Sequence, residues 1–331
     1  MKKSLVFTTV FFIILIFAIV FALCMGKYSV TPKESLKVLI GKTEGVSQMV
    51  INVVMGLRLP RVLSSVLVGA ALSVSGVVYQ GIFRNPLISP DYLGVTGGAS
   101  IGAAIAILLS FSTIYISIFA FIGGITAMIL AMLIPILLRN NANIMLVLSG
   151  VIVGAAMSSI LGFIKYVADP DGQLASIIYW TMGSFSYVTI TEFLYTLPII
   201  LLPMVVLLLM SYRIDVLSMG EDEAKALGVN VVTVRTIALA SATLITAASV
   251  CISGTIGWVG LIIPHLGRLL IGPSSRRLMP LAAVTGGLFM LIVDTATRTI
   301  SVTDMPVSIL TGALGIPFYC WLLYKQRKTL I

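Results

Sequence analysis

Long apolar runs recur along nearly the whole chain, and no other feature restricts its fold as strongly. A helix that crosses the hydrocarbon core of a bilayer needs about 20 mostly apolar residues. Ten runs of roughly this length are present, at residues 4–25, 62–82, 92–109, 113–138, 143–165, 192–212, 233–252, 256–271, 278–297 and 307–324. The run at 256–271 is the weakest, because Pro264, His265 and Arg268 interrupt it. We therefore predict an all-α polytopic membrane protein of about ten transmembrane helices.

The polar connections between these runs are short, which leaves no room for a soluble catalytic domain. Apolar residues make up 59% of the chain and charged residues 10%, whereas roughly a quarter of the residues of soluble domains are charged. Residues 1–331 are therefore predicted to form a single transmembrane domain. We expect no enzymatic activity in this chain.

The formal net charge of +9 does not indicate nucleic-acid binding here, because most basic residues border apolar runs. Lysine and arginine at the ends of spans report orientation, with the excess on the cytoplasmic side. An even number of spans places both termini on one side, and that side carries more of the basic residues. Both termini are therefore predicted to be cytoplasmic.

No metal or nucleotide site is expected in this chain. His265 is the single histidine, and the three cysteines are isolated from one another, so no set of metal ligands can be assembled from these residues. We expect Pro264 to kink its helix and His265 to bond a backbone group that the kink frees. Gly41-Lys42-Thr43 resembles the end of a phosphate-binding loop, but Leu36 stands where that loop requires glycine.

Residues 213–230 are predicted to contain a short helix between two spans. Ser218-Met-Gly-Glu221 has the pattern of a capping box, and Gly228 suits the C-terminal end of a helix. Ala224 and Leu227 would share one face of that helix. From these residues alone, a solvated connector and a docking element are both possible interpretations.

Asp294 is the one acidic residue that falls inside a predicted span and away from its ends. Carriers driven by protons or sodium generally need clusters of ionisable or polar ligands at mid-membrane depth. Arg298 follows Asp294 by one helical turn, so an ion pair within the helix is the expected arrangement. Ion coupling is therefore disfavoured, and the energy for any transport must come from a partner.

Two further segments have sequence patterns that indicate how they lie in the membrane or pack. Residues 169–190 are too short and too polar to span a bilayer, and we predict a partly inserted external helix with Tyr179 and Trp180 at interfacial depth. Gly94, Gly98 and Gly102 recur every four residues, which is typical of close helix packing in membranes.

Several motifs, in order and at characteristic spacing, resemble one family over about residues 1–328. The resemblance is to the membrane-spanning permease subunits of binding-protein-dependent ABC importers that take up iron-siderophores, haem and cobalamin. Asp304 and Ser308 depart from the family pattern, which usually has Glu and Gly there. The motifs that carry the resemblance are Arg58-Leu-Pro-Arg61, Gly81-Ile-Phe-Arg-Asn-Pro-Leu87, Gly94-Val-Thr-Gly-Gly98, Gly220-Glu-Asp-Glu-Ala-Lys-Ala-Leu-Gly228, Gly257-Trp-Val-Gly-Leu-Ile-Ile-Pro-His265, Pro306-Val-Ser-Ile-Leu-Thr-Gly312 and Pro317-Phe318.

The resemblance implies an assembly. The permease would pair with itself or with a closely related permease in a bacterial or archaeal inner membrane. Two cytoplasmic ATPase subunits would bind ATP and Mg²⁺, and an external binding protein would deliver the substrate. Ferric siderophore is the substrate most often associated with the family, with haem, cobalamin and a small oxyanion as alternatives. An ion-coupled secondary transporter and a structural membrane scaffold are the alternatives from other classes.

The resemblance also implies three groups of functional residues. Arg58, Arg61 and Arg298 would dock the binding protein, although anchoring to lipid headgroups explains external arginines equally well from sequence alone. The cytoplasmic gate is implied at Asn85, Leu87 and Asn143. Contact with the ATPase is implied at Gly220, Glu221, Glu223, Ala224 and Gly228.

Overall fold

The computed structural model describes residues 2–139, 143–300 and 304–326, and every regular element in these ranges is helical. Besides the α-helices, a π-helical segment covers Asn52–Arg58 and a 3₁₀ turn covers Pro90–Leu93. The α-helices are α1 (Lys2–Cys24), α2 (Pro32–Leu39), α3 (Gln48–Ile51), α4 (Leu59–Ile82), α5 (Val95–Leu108), α6 (Thr113–Leu137), α7 (Asn143–Val167), α8 (Gln173–Met182), α9 (Ile190–Met219), α10 (Glu221–Ala226), α11 (Val231–Ser253), α12 (Val259–Ile271), α13 (Ser275–Ile300) and α14 (Val307–Gln326).

Each predicted apolar run coincides with one of these helices. Among the described residues, seven helical stretches are long and apolar enough to cross a membrane: those that contain α1, α4, α6, α7, α9, α11 and α13. The predicted runs at 92–109, 256–271 and 307–324 correspond to shorter apolar helices, at Val95–Leu108, Val259–Ile271 and Val307–Trp321.

Helix α4 lies at the centre of the molecule and packs against α9, α11, α12 and α13. Its serines and glycines allow these neighbours to approach closely, and the hydroxyls bond across helices. Ser75 Oγ donates to the Ala242 carbonyl at 2.9 Å, and the hydroxyls of Tyr79 and Thr243 are 2.6 Å apart. Hydrogen bonds of this kind hold helices together in lipid, where the hydrophobic effect does not.

The second span begins earlier than predicted. The helix is continuous from Gln48 to Ile82, and its backbone widens into the π-helical segment just before Pro60. The Leu59 N–H donates to the Val54 carbonyl, five residues back. A proline inside a helix removes one hydrogen bond and clashes with the carbonyl four residues earlier. The wider turn, with Gly56 at that position, accommodates Pro60 without ending the helix.

Close packing at the predicted glycines is confirmed between α5 and α6. A Cβ added at Gly98 would lie 2.3 Å from the Gly123 carbonyl oxygen, and one at Gly102 would lie 1.9 Å from that of Phe119. These distances leave no room for any side chain, so the two helix backbones are in contact.

Residues 169–190 contain the predicted short helix, α8. Gln173 Nε2 donates to the last turn of α5 at the Leu108 carbonyl, 3.0 Å away. The other end of α8 is held by backbone bonds, from Ser184 N to the Ser253 carbonyl at 2.8 Å and from Val307 N to the Gly183 carbonyl at 2.9 Å. Helix α8 therefore connects α5 with the ends of α11 and α14.

Candidate coupling and docking sites

The short helix α10 projects from the bundle between α9 and α11. It ends at Ala226, and Gly228, just beyond this end as predicted, lies in the left-handed region at φ +74°. Asp222, Glu223 and Lys225 are exposed, and Leu227 exposes 60% of its surface. The helix therefore presents a mixed charged and apolar surface outside the bundle.

Two details of this helix differ from the prediction. Ser218 does not cap α10, because α9 continues through Met219 and the Ser218 hydroxyl donates to the Asp215 carbonyl at 2.6 Å. Ala224 and Leu227 do not share an environment either. Ala224 is fully buried in the protein's own core, whereas Leu227 faces outwards.

A salt bridge connects α10 to the bundle, and a backbone bond closes the turn that follows it. Glu221 forms a salt bridge with Arg235 of α11, and the Val229 N–H donates to the Ala224 carbonyl at 2.9 Å. Asp215, in the last turns of α9, accepts hydrogen bonds from the Ser275 N–H and from the Ser274 hydroxyl, so it caps α13. Side-chain contacts therefore link α10 to α11 and α9 to α13.

Asp215 is a functional candidate that the sequence prediction missed. A carboxylate near the C-terminal end of a helix is electrostatically unfavourable within that helix, and this could have indicated an external partner. The partner, the start of α13, is about 60 residues away in the chain, so no local sequence pattern identifies it.

The predicted gate residues lie in the turn after α4 and at the start of α7. Asn85 Oδ1 accepts from the Leu87 N–H at 2.9 Å, and Leu87 exposes 44% of its surface. Asn143 begins α7, but its side chain, like residues 140–142, lies outside the described residues. Contact between the two gate segments therefore stays a prediction.

The three arginines predicted to dock a binding protein are buried. Arg58, Arg61 and Arg298 expose 5%, 8% and 6% of their surfaces. Arg298 donates to the Ala22 carbonyl at 2.6 Å, and Arg58 to those of Leu23 and Cys24 at 2.7 and 2.9 Å. Helix α1 has no basic residue in its own last turn, so these two arginines satisfy the carbonyls at its C-terminal end.

The predicted ion pair within α13 is a weaker interaction than expected. Arg298 Nε lies 4.0 Å from Asp294, whereas Arg61 Nε of α4 lies 2.9 and 3.1 Å from its two carboxylate oxygens. Asp294 is completely buried. The principal ion pair therefore joins α4 to α13 and is shielded from solvent.

Arg61 also holds the loop before α14. Its Nη1 donates to Asp304 Oδ2 at 2.6 Å, and the same oxygen accepts from the Ser186 hydroxyl at 2.6 Å. Lys27 lies 3.7 Å from the other Asp304 oxygen. Asp304 thus connects its own loop with three other segments of the chain at the Cys24 end of α1.

The environment of Asp304 predicts an acid-sensitive contact. Burial would raise the pKa of Asp304, but the hydrogen bonds from Ser186 and Arg61 and the charges of Arg61 and Lys27 lower it overall. A carboxyl with a depressed folded-state pKa contributes stability above its unfolded pKa, about 3.9, and loses that contribution as the pH falls through the folded value. Below about pH 4, the thermal midpoint of the wild type in detergent should therefore fall more steeply than that of Asp304→Asn. Parallel curves for the two proteins would contradict this.

The prediction for His265 is wrong. Neither ring nitrogen has a hydrogen-bond partner among the described residues, and the ring instead stacks edge-on against Phe318. Arg268 of the same helix bonds to Gln80 of α4, and Gln80 Nε2 donates to the Gly260 carbonyl at 3.2 Å. Gln80, not His265, therefore bonds the backbone at the start of this proline-containing helix.

Comparison with known proteins identifies the class. Residues 14–325 match the FecCD transport family. The molybdate import system permease protein MolB of Haemophilus influenzae is 36% identical over 318 residues, which cover 96% of this chain and 94% of that protein. A permease protein named for an iron chelatin transport system of Helicobacter pylori is 40% identical over 275 residues, 83% of each chain.

A solved structure supports the same conclusion. It is described as an inward-facing conformation of a metal-chelate type ABC transporter and matches with a TM-score of 0.87, at 36% identity, over 96% of this chain and 98% of that chain. The apolar helices and these similarities define a multi-pass membrane permease of the ABC importer type. The chain belongs to the FecCD transport family, which confirms the resemblance found in the motifs.

Proposed function

We propose that this chain is the membrane subunit through which a separate ATPase drives the import of a metal chelate across the inner membrane. The observation that carries the proposal is α10, an exposed helix held to the bundle by the Glu221–Arg235 salt bridge and by the buried Ala224. ATP and Mg²⁺ bind to the partner subunit. This chain transmits the ATPase cycle and provides the pathway.

The contacts of α10 support a mechanism of transmission. When the ATPase subunits close, they move the α10 surface that includes Glu223 and Leu227. The buried anchors then move α9 and α11 with it, and Asp215 passes the displacement to the start of α13. The turn that holds Asn85 and Leu87, together with the start of α7 at Asn143, opens or closes the cytoplasmic end in response.

The proposed assembly contains two permease chains, two ATPase subunits and one external binding protein, with both permease termini in the cytoplasm. Arg58, Arg61 and Arg298 are retained as the proposed docking region. Their burial changes how docking has to be tested. Changing Arg58 and Arg61 to Glu would break the contacts with the end of α1 and with Asp294, so a loss of docking in that variant would report misfolding as well.

Ferric siderophore is the proposed substrate. The relative named for iron chelatin transport, at 40% identity, supports a bulky iron chelate. A small oxyanion is the second candidate, because the relative named for molybdate import is similar over 96% of this chain. A reconstituted complex with its binding protein should hydrolyse ATP faster when that protein carries a ferric siderophore. Stimulation by molybdate and not by the iron chelate would reject the siderophore proposal and leave the permease function intact.

Leu227→Asp is expected to weaken binding of the ATPase. It places a charge on the exposed apolar position of α10, where contact with a partner would desolvate it. Even an uncharged polar group buried in this way costs about 1–3 kcal/mol. Copurification with the ATPase should then fall about tenfold, since 1.4 kcal/mol corresponds to a factor of ten. The matched control is Thr43→Asp, which adds the same charge to an exposed loop on the predicted opposite side.

Ala224→Asp separates interface effects from folding effects. Ala224 is buried in the permease itself, so this variant should lower the thermal midpoint of the isolated permease, whereas Leu227→Asp should not. If Leu227→Asp copurifies with the ATPase as well as Thr43→Asp does, the proposed contact is wrong.

A further inference from the structure

An apolar groove of about 850 Å³ lies between the Cys24 end of α1 and the short helix α2. Val20 and Phe21 contribute to its floor from α1, and Pro32 and Leu36 line it from α2. Most of the remaining lining is also apolar. A groove with this lining binds hydrocarbon and offers little to water or to a polar ligand.

The groove is continuous with the surface that α1 presents to the bilayer. Phe17 and Phe21 both line it, yet they expose 71% and 58% of their surfaces. Only 11% of the apolar stretch of α1 is buried inside the protein. A lipid acyl chain can therefore enter the groove directly from the membrane, without displacing any other helix.

Basic groups surround the end of the groove at α2. Lys33 and Lys37 each follow a groove-lining residue, Pro32 and Leu36 respectively, so they lie one above the other on the adjacent row of the helix. Neither lysine has a carboxylate within 4.0 Å among the described residues. Short amphipathic helices with this pattern lie at the level of lipid headgroups.

A third cation lies behind the groove. Arg58 is buried, and its guanidinium is so close to Gly26 that a Cβ there would be 2.8 Å from Nη2. Its described hydrogen-bond partners are carbonyl oxygens, those of Leu23, Cys24 and Tyr28, and the partial negative charge at the end of α1 offsets its positive charge only in part. Arg58 therefore adds positive charge at this end of the groove.

Glu34, the acidic residue of α2, interacts electrostatically with Lys37 and offsets one of the three positive charges, so the charge of this group stays positive. The walls of the groove are held in place. Glu34 is engaged by Thr31, whose N–H and hydroxyl both donate to its carboxylate, at 3.0 and 2.6 Å. Cys24 Sγ lies 3.6 Å from the buried Ser35 hydroxyl, which ties α2 to α1. The groove is thus a formed feature and requires no rearrangement to accept a ligand.

We propose that this groove is a binding site for an anionic phospholipid. One acyl chain occupies the apolar channel between α1 and α2, and the phosphate lies beside Lys33 and Lys37, within the positive potential to which Arg58 contributes. The site recognises the net negative charge of the lipid, because a zwitterionic headgroup brings a cation to the same lysines. This proposal is independent of the substrate and of the ATPase.

Native mass spectrometry of the purified permease tests the proposal with two lipids that share their acyl chains, dioleoyl phosphatidylglycerol and dioleoyl phosphatidylcholine. The wild type should retain phosphatidylglycerol in preference. Lys33→Gln combined with Lys37→Gln should reduce that preference about tenfold or more, since each basic residue near an anionic surface contributes substantially to attraction. Lys42→Gln, at an exposed lysine beyond α2, is the matched control and should behave as the wild type.

A second pair of variants tests the groove itself. Val20→Trp fills the channel and should abolish retention of phosphatidylglycerol, whereas Ile13→Trp, on an exposed part of α1 outside the groove, should not. Equal retention of the two lipids by the wild type would overturn the proposal. So would wild-type retention by Val20→Trp. If Val20→Trp instead dissociates a dimer and leaves lipid retention unchanged, a second copy of the chain covers the groove and the lipid proposal is wrong.

Discussion

Asp294→Ala is expected to destabilise the permease more than any other removal of a single carboxylate. The change leaves the Arg61 guanidinium, and Arg298 beside it, without the fully buried counter-charge that lies 2.9 Å from Arg61 Nε. Breaking a buried ion pair from one side typically costs about 3–5 kcal/mol, because the remaining charge stays desolvated. The thermal midpoint in detergent should fall strongly, and the yield of folded protein should fall with it.

Asp222→Ala is the matched control for this prediction. The Asp222 side chain is 96% exposed and lies 3.6 Å from Lys225, and exposed pairs contribute about 0–1 kcal/mol. Adding Arg61→Met to Asp294→Ala removes the cation that has lost its counter-charge. It should recover part of the lost stability, so the effects of the two changes should not be additive. Equal midpoints for Asp294→Ala and Asp222→Ala would show that the ion pair between α4 and α13 does not hold these helices together.

Gly76→Ala is the second change with a large expected effect. A single Cβ at Gly76 of α4 would lie 1.9 Å from the carbonyl oxygen of Gly260 in α12 and 2.7 Å from its carbonyl carbon. Backbone atoms cannot rotate away as a side chain can, so the two helices must separate. The cost should reach or exceed the upper end of the roughly 1–3 kcal/mol range for overpacked cores. The separation would also disturb the bond from Gln80 to the Gly260 carbonyl.

The same substitution at Gly162 should have the opposite sign. Gly162 lies inside α7, and a Cβ there would meet nothing within 4 Å. Alanine is favoured over glycine in a helix interior by about 1 kcal/mol, so Gly162→Ala should leave the thermal midpoint unchanged or raise it slightly. A Gly76→Ala protein as stable as Gly162→Ala would mean that α4 and α12 do not pack as closely as described.

The positions of the long helices could be predicted from the sequence because hydropathy is a property of consecutive residues. Gly228 could be placed for a similar reason, since a left-handed residue after a short helix is a local requirement. The spacing of Gly98 and Gly102 likewise reports one helix face, and their contacts with α6 follow from it. Gly94 does not share that face, because it precedes α5 in the left-handed region at φ +72° and contacts α7.

The contacts between distant segments could not be predicted in this way. Arg61 and Asp294 are separated by 233 positions. Local spacing predicts Arg298, one helical turn from Asp294, as the partner instead. Helical spacing predicts one face for Ala224 and Leu227, but it does not say which side of a six-residue helix faces the bundle. No local sequence pattern predicts the π-helical segment at Asn52–Arg58, because Pro60 by itself indicates the start of a helix.

Transport into sealed proteoliposomes tests the central claim most directly. The vesicles would contain the permease with its ATPase, a ferric siderophore bound to its binding protein would be supplied on the opposite side from the ATPase, and uptake would be measured with labelled iron. We predict uptake that requires ATP and the ATPase and that falls strongly in Leu227→Asp. Uptake by the permease alone, driven by an imposed proton or sodium gradient without ATP, would contradict the claim.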